Sequence, residues 1–164
     1  MQTSRMAEHV IDVFGMFPYQ YEHGPCSDKD REIDLDSLWT IGINCQLFVH
    51  MALEELFGLV VPRDFRSSEL FSSAELQDIF RLESDTITES SIQGGDICFF
   101  GRSNNSPQKD ANCSDAKKLH LGVFLDETTV AHCCYIAGGV VVQSLQEILA
   151  QPRYQTLYAV RRIH

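Results

Sequence analysis

Cys45 follows Asn44 and opens a run in which Phe48, Val49, Ala52, Leu53, Leu56 and Phe57 recur at helical spacing. Asn44 has the side chain of an N-cap, and Gly58 stands where a helix turns left-handed as it ends. The spacing therefore predicts a helix over 45–57 with Cys45 at its first position. Unsatisfied N–H groups and the positive end of the helix dipole at that place favour thiolate over thiol, which makes Cys45 the candidate nucleophile. The plain alternative is a small, buried, apolar cysteine.

A thiol nucleophile needs a base that titrates near neutrality. The chain has six histidines, at 9, 23, 50, 120, 132 and 164. His50 lies on the same helix about 140° round from Cys45 and is expected to point away. His120 stands in Leu119-His120-Leu121-Gly122-Val123-Phe124-Leu125, where the odd positions are aliphatic and His, Gly and Phe occupy the other face. His132 falls on the next strand. If the hairpin turns through Asp126-Glu127-Thr128, Leu125 pairs with Thr129 and Gly122 with His132, so both histidines share a face as diagonal neighbours. A four-residue loop would put them on opposite faces. In the first register His132 can hold one ring nitrogen of His120 and leave the other for the thiol. That set is the equipment of amide hydrolysis through a thioester. Cys45 attacks, His120 takes the thiol proton and returns it to the leaving amine, and water frees the acyl group.

The elements that must position these residues are legible in outline. Met6, Val10, Val13 and Phe14 predict a first helix over Arg5 to Phe14, closed by Gly15 and Pro18. Residues 27–42 follow as an acidic insertion, with CSDKDREIDLD running from Cys26 to Asp36. Ser72 and Glu75 form a capping-box pattern ahead of Leu76, Ile79, Phe80 and Leu82, which predicts a helix starting at Ser72. After the turn Gly94-Gly95-Asp96, five strands are expected: 97–100, 119–125, 130–135, 140–143 and 157–163. Ser144 and Glu147 make a second capping box ahead of Ile148 and Leu149, and Pro152 closes that short helix. Helices first and strands later give an α+β fold with an antiparallel sheet, in a single domain over 1–164. The polar stretch 101–118 is longer than most connections and reads as a lid loop.

Composition bounds the function. The chain has 164 residues, 44% hydrophobic, with 13 basic and 23 acidic residues and a net charge of −10. That balance, with no basic stripe, excludes nucleic acid as a partner. No apolar run nears the ~18–20 residues of a membrane span. The N-terminal stretch lacks the pattern of a signal peptide, so a cytoplasmic location, or export by a non-classical route, is expected. Six cysteines without a C-x-x-C read as free thiols. Zinc on His120, His132, Cys133, Cys134 and Cys113 is a competing arrangement, but neighbours 133 and 134 point to opposite strand faces. No metal and no cofactor is expected.

The order Asn44-Cys45 at a helix start, then Gly95-Asp96-Ile97-Cys98-Phe99-Phe100, Leu119-His120-Leu121-Gly122-Val123-Phe124, Ala131-His132 and Gly139-Val140-Val141-Val142 resembles the NlpC-type papain-like cysteine peptidases. The resemblance covers roughly residues 16–163. It implies a papain-like fold with N-terminal helices on a five- to six-stranded antiparallel sheet, with Cys45 similar to the nucleophile, His120 to the base and His132 to the orienting residue. Phe17-Pro18-Tyr19-Gln20-Tyr21-Glu22-His23-Gly24 is similar to the family's P-Y-x-W-G-G segment, which places Tyr19 beside the oxyanion. Gln46 and Leu47 stand where the family has Ser and Gly, and Gln46 joins Tyr19 on the substrate and oxyanion side. The implied substrate is a muropeptide, cut between γ-D-glutamate and the diamino acid. Acyl transfer or amidase action on a substrate outside the cell wall, and an inactive binding module, are the alternatives.

Overall fold

The computed structural model describes residues 2–20, 42–62, 65–82, 91–102 and 119–164. Of the acidic insertion 27–42 and the lid loop 101–118, all but Gly42, Gly101 and Arg102 lie outside the described residues. The alternating stretches become strands: β1 (Leu76–Arg81), β2 (Ile97–Gly101), β3 (His120–Phe124), β4 (Thr129–Cys134), β5 (Gly139–Ser144) and β6 (Thr156–Ile163). They form one antiparallel sheet in the order β1-β6-β2-β3-β4-β5.

Helices α1 (Gln2–Phe14) and α2 (Cys45–Phe57) cover one face. Leu47, Phe48 and Leu53 of α2 share a core there with Ile97, Phe99, Leu121 and Val123. On the other face Cys98, Phe100, Phe124 and Val130 pack with Ile148 of helix α4 (Leu145–Leu149) and Tyr154 of the 3-10 turn Pro152–Tyr154. With both faces covered, β2 is buried at every residue, and its sequence Ile-Cys-Phe-Phe is apolar without alternation. Among the described residues no helix is long and apolar enough to cross a membrane.

The caps of α2 are those the sequence calls for. Asn44 Oδ1 accepts from Leu47 N at 3.0 Å, and Gly58 closes the helix at φ 65°. In α4, Ser144 Oγ accepts from Glu147 N, and the Glu147 carboxylate accepts from Ser144 N. Asp126 fixes the β3–β4 hairpin by accepting from Thr128 N (2.8 Å) and Thr129 N (2.7 Å). Burial would raise its carboxyl pKa, but these donors outweigh it and hold the group at about 2.

The helix expected from Ser72 is absent. A shorter helix, α3 (Ser67–Ser72), ends there, and 76–81 is β1, paired with β6. Leu76 belongs to the core under α2 and Ile79 to the core on the opposite face. Apolar residues three apart, which mimic a helical stripe, here serve the two faces of one strand. Long-range pairing decides it. Buried Arg161 of β6 donates to Asp78 Oδ1 (2.9 Å) and to the carbonyls of Ser73 (2.9 Å) and Leu76 (2.5 Å), holding the segment extended.

Candidate active site

The two strand histidines meet. Leu125 N donates to Thr129 O at 2.8 Å, and the ladder continues through Phe124–Val130 and Val123–Ala131. This is the register of the three-residue loop. The recorded pairing stops one step before Gly122 and His132, and beyond it the rings themselves are in contact. His120 Nε2 lies 2.8 Å from His132 Nδ1, with the rings edge to face. His132 is fully buried, and its Nε2 lies 2.8 Å from Gln143 Oε1 on β5. Gln143 pairs with Val130, two positions from the His132–Val141 pair, so the alternation of both strands brings its amide to the face of the ring.

Gly122 makes this approach possible. A Cβ there would stand 2.8 Å from Val130 Cγ1, 3.1 Å from Ala131 O and 3.2 Å from Cys98 Sγ. Only a glycine lets β4 lie so close beside the histidine-bearing strand.

Cys45 occupies the first position of α2 and is half-buried. Burial pushes its thiol above the ordinary range, while the backbone groups of Leu121, Cys45 and Gln46 pull in the opposite direction without prevailing. Lost solvation thus opposes, and outweighs, the helix-end N–H groups that favour thiolate at this position. The backbone of Leu121 comes from the residue next to His120, so the start of α2 is seated against the histidine strand. Burial, then the neighbouring His132, lowers the His120 pKa well below its usual value. Burial also lowers that of His132, which the hydrogen bond to Gln143 partly restores. All three shifts run toward the uncharged form of the group.

Tyr19 is joined to the same region through the backbone. It bridges Ile43, two residues before Cys45, and its N–H donates to Gly138 O at 2.9 Å. Its ring meets the edge of Tyr135, centroids 5.4 Å apart. The Gln46 side chain turns to Ser67, donating to its Oγ at 2.5 Å, so the site gains the Gln46 backbone rather than a free amide. His50 is buried and bonded to Phe65 O at 2.8 Å, while His9 pairs with Glu55. Cys133 faces the α2 side with its Sγ 3.5 Å from Ile43 O, and Cys134 faces the other side. Among the described residues no group of three or more His, Cys, Asp or Glu is arranged to hold a metal ion.

Two neighbours were not singled out by sequence. Tyr154 lies flat on His120, and Gln143 holds His132. Gln143 did carry a signal, being the polar end of the otherwise apolar run Val140-Val141-Val142 on a strand paired with that of His132.

The family described as bacteriophage peptidoglycan hydrolase matches residues 67–164, a stretch that holds His120, His132 and Gln143 and begins after Cys45. Among solved structures, the peptidoglycan hydrolase RipB of Mycobacterium tuberculosis is 19% identical, with a TM-score of 0.52, over 99% of this chain and 67% of its own. The P60 domain of an antigen from M. avium subspecies paratuberculosis is 18% identical, with a TM-score of 0.47, over 100% of this chain and 99% of its own. No curated protein sequence matches.

Proposed function

Since the chain belongs to the bacteriophage peptidoglycan hydrolases, as an NlpC-type member with the α+β papain-like fold, we propose that it hydrolyses an amide of the peptidoglycan stem peptide with Cys45 as nucleophile, His120 as base and His132 as orienting residue. The bond is that between γ-D-glutamate and the diamino acid. The observation that carries this reading is the 2.8 Å contact of His120 with His132 on the strand against which the Cys45 helix starts.

With thiol and imidazole both neutral at rest, the proton leaves as the bond forms. Cys45 Sγ attacks the carbonyl carbon while its proton passes to His120. The oxyanion collects at the N–H groups of Cys45 and Gln46, with Tyr19 on the same side. Collapse breaks the C–N bond, and His120 gives its proton to the amine, leaving a thioester. Water then loses a proton to His120 as it attacks the thioester. The second collapse returns that proton to the sulfur and frees the carboxylic acid, which loses its own proton to solvent.

The test is digestion of purified sacculi followed by mass spectrometry of the soluble muropeptides. Fragments with a newly freed diamino-acid amine, lost in Cys45→Ala, are expected. Release of intact stem peptides from the glycan would instead make the chain an amidase at the lactyl bond. Full turnover by Cys45→Ala would remove the nucleophile.

A further inference from the structure

We propose that Gln143 is a positioning residue whose amide oxygen fixes the tautomer of His132 and, through that ring, makes Nδ1 the proton-accepting nitrogen of His120. A neutral imidazole has one N–H donor and one lone-pair acceptor, and which nitrogen is which follows from the partner each one meets. Both nitrogens of His132 are engaged: Nε2 with Gln143 Oε1 and Nδ1 with His120 Nε2, each at 2.8 Å. An amide oxygen only accepts, so His132 Nε2 carries the hydrogen and Nδ1 is the lone pair. His120 Nε2 must then be the donor of the contact between the rings. A neutral His120 so committed keeps its lone pair on Nδ1.

The end of the relay is itself anchored. Gln151 Nε2 lies 3.4 Å from the same Gln143 oxygen, so two donors converge on it, as its two lone pairs permit. Gln143 sits in the β4–β5 ladder opposite Val130, and the next residue, Ser144, is the N-cap of α4. The amide therefore has little freedom to turn. His132 is excluded from solvent, so no water can substitute for a lost acceptor at low cost.

The catalytic consequence rests on the reading of Cys45 and His120 given above, whereas the tautomer does not. Without an acceptor at Gln143, His132 is free to carry its hydrogen on Nδ1 and donate it to His120 Nε2. His120 then bears its hydrogen on Nδ1 and has no lone pair there to receive the proton from Cys45 Sγ.

The experiment uses the full chain and two variants. Gln143→Met keeps the length of the side chain without the oxygen, and Gln143→Glu keeps an acceptor. Imidazole 15N shifts at pH 7 report the tautomers directly, and sacculus digestion gives kcat and KM. The wild type is expected to show both rings protonated on Nε2. Gln143→Met should shift His132 toward the Nδ1–H form and lower kcat by roughly 10- to 100-fold at unchanged KM, and Gln143→Glu should retain the wild-type ring pattern and most of kcat. A wild-type His132 protonated on Nδ1, a Gln143→Met ring spectrum like the wild type, or a Gln143→Glu loss as deep as that of Gln143→Met overturns the proposal. If no form of the chain digests sacculi, the ring spectra still decide the tautomer, and the failure belongs to the substrate reading alone.

Discussion

The imidazole of His120 lies flat on the phenol ring of Tyr154, centroids 4.3 Å apart and planes 22° from parallel. The same phenol meets His132 edge-on at 6.1 Å, so one aromatic side chain braces both rings of the pair from the layer that covers the far face of the sheet. Tyr154 is buried, and its removal opens a cavity beside His120. Tyr154→Ala is expected to lower unfolding free energy by about 3–5 kcal/mol. Tyr154→Phe keeps the stack and loses only the hydroxyl, for about 0.5–1.5 kcal/mol. Urea unfolding of the two variants checks this, and equal losses would mean that the stack holds nothing.

Burial of the histidine pair sets a pH dependence of stability. Burial, and for His120 the neighbouring His132, lowers both pKa values below the usual 6.5. In the unfolded chain both rings take up protons near that value, whereas the folded chain resists doing so. The unfolded state therefore binds more protons as pH falls below about 6.5. Stability is full above that pH and declines below it, through the depressed folded values. Denaturant midpoints from pH 8 to 4 should show this fall, and His132→Gln, which removes one titrating ring, should flatten it. A wild-type midpoint that rises on acidification would contradict neutral buried rings.

What the sequence displayed and what it hid divide by range. The caps of α2 and α4 are local, so Cys45 at a helix start could be read directly, whereas the sequence left two hairpin registers open and the turn at Asp126 selects the one in which His120 and His132 share a face. β1 could not, because its pattern also fits a helix and the choice is made by Arg161, far along the chain. Asp96 reads as a turn residue. In the fold it is a fully buried carboxylate clamped by Arg162, with Oδ1 at 2.7 Å from Nε and Oδ2 at 2.8 Å from Nη2. Nothing within the turn announces a partner 66 residues away. Tyr154 and Gln143 escaped for the same reason, since each reaches the histidines only once β4, β5 and the 3-10 turn are assembled.

The clamp of Asp96 by Arg162 carries an asymmetry that can be measured. Arg162→Met strands an anion with no access to water, and breaking a buried pair in this way costs about 3–5 kcal/mol. Asp96→Ala leaves the cation, whose side chain is 23% exposed and can turn to solvent, so its loss is smaller. The order of the two unfolding free energies is the check. A larger loss for Asp96→Ala would mean that turn geometry, through the bond of Gln93 N to Asp96 Oδ2, outweighs the buried charge.

Cysteine reactivity separates the neutral pair from a preformed ion pair. Burial raises the thiols of Cys45, Cys98 and Cys133, and of these Cys45 alone is half-exposed. Iodoacetamide is expected to label Cys45 before the other described cysteines, at a rate that climbs continuously from pH 6 past 9 as thiolate forms. Peptide mapping of the label against pH checks both points. A rate plateau between pH 6 and 8 would reveal a thiolate held by protonated His120, and earlier labelling of Cys98 or Cys133 would contradict the burial.

Gly122 joins fold and site most directly, because β4 can lie against β3 beside His120 only where no side chain intervenes. In Gly122→Ala the new methyl would stand 2.8 Å from Val130 Cγ1, a branched side chain with little room to turn, and 3.1 Å from the Ala131 carbonyl. The strands must part, and the ring contact that follows the ladder lengthens with them. Overpacking of this kind costs about 1–3 kcal/mol. Gly58→Ala is the matched control: its φ of 65° strains an alanine by roughly 1–2 kcal/mol, but nothing lies within 4 Å and it caps the end of α2 opposite Cys45. Comparable drops in unfolding midpoint are therefore expected from the two variants, with kcat on sacculi reduced only in Gly122→Ala. A Gly122→Ala enzyme with the kcat of Gly58→Ala would show that the spacing of His120 from His132 does not limit turnover.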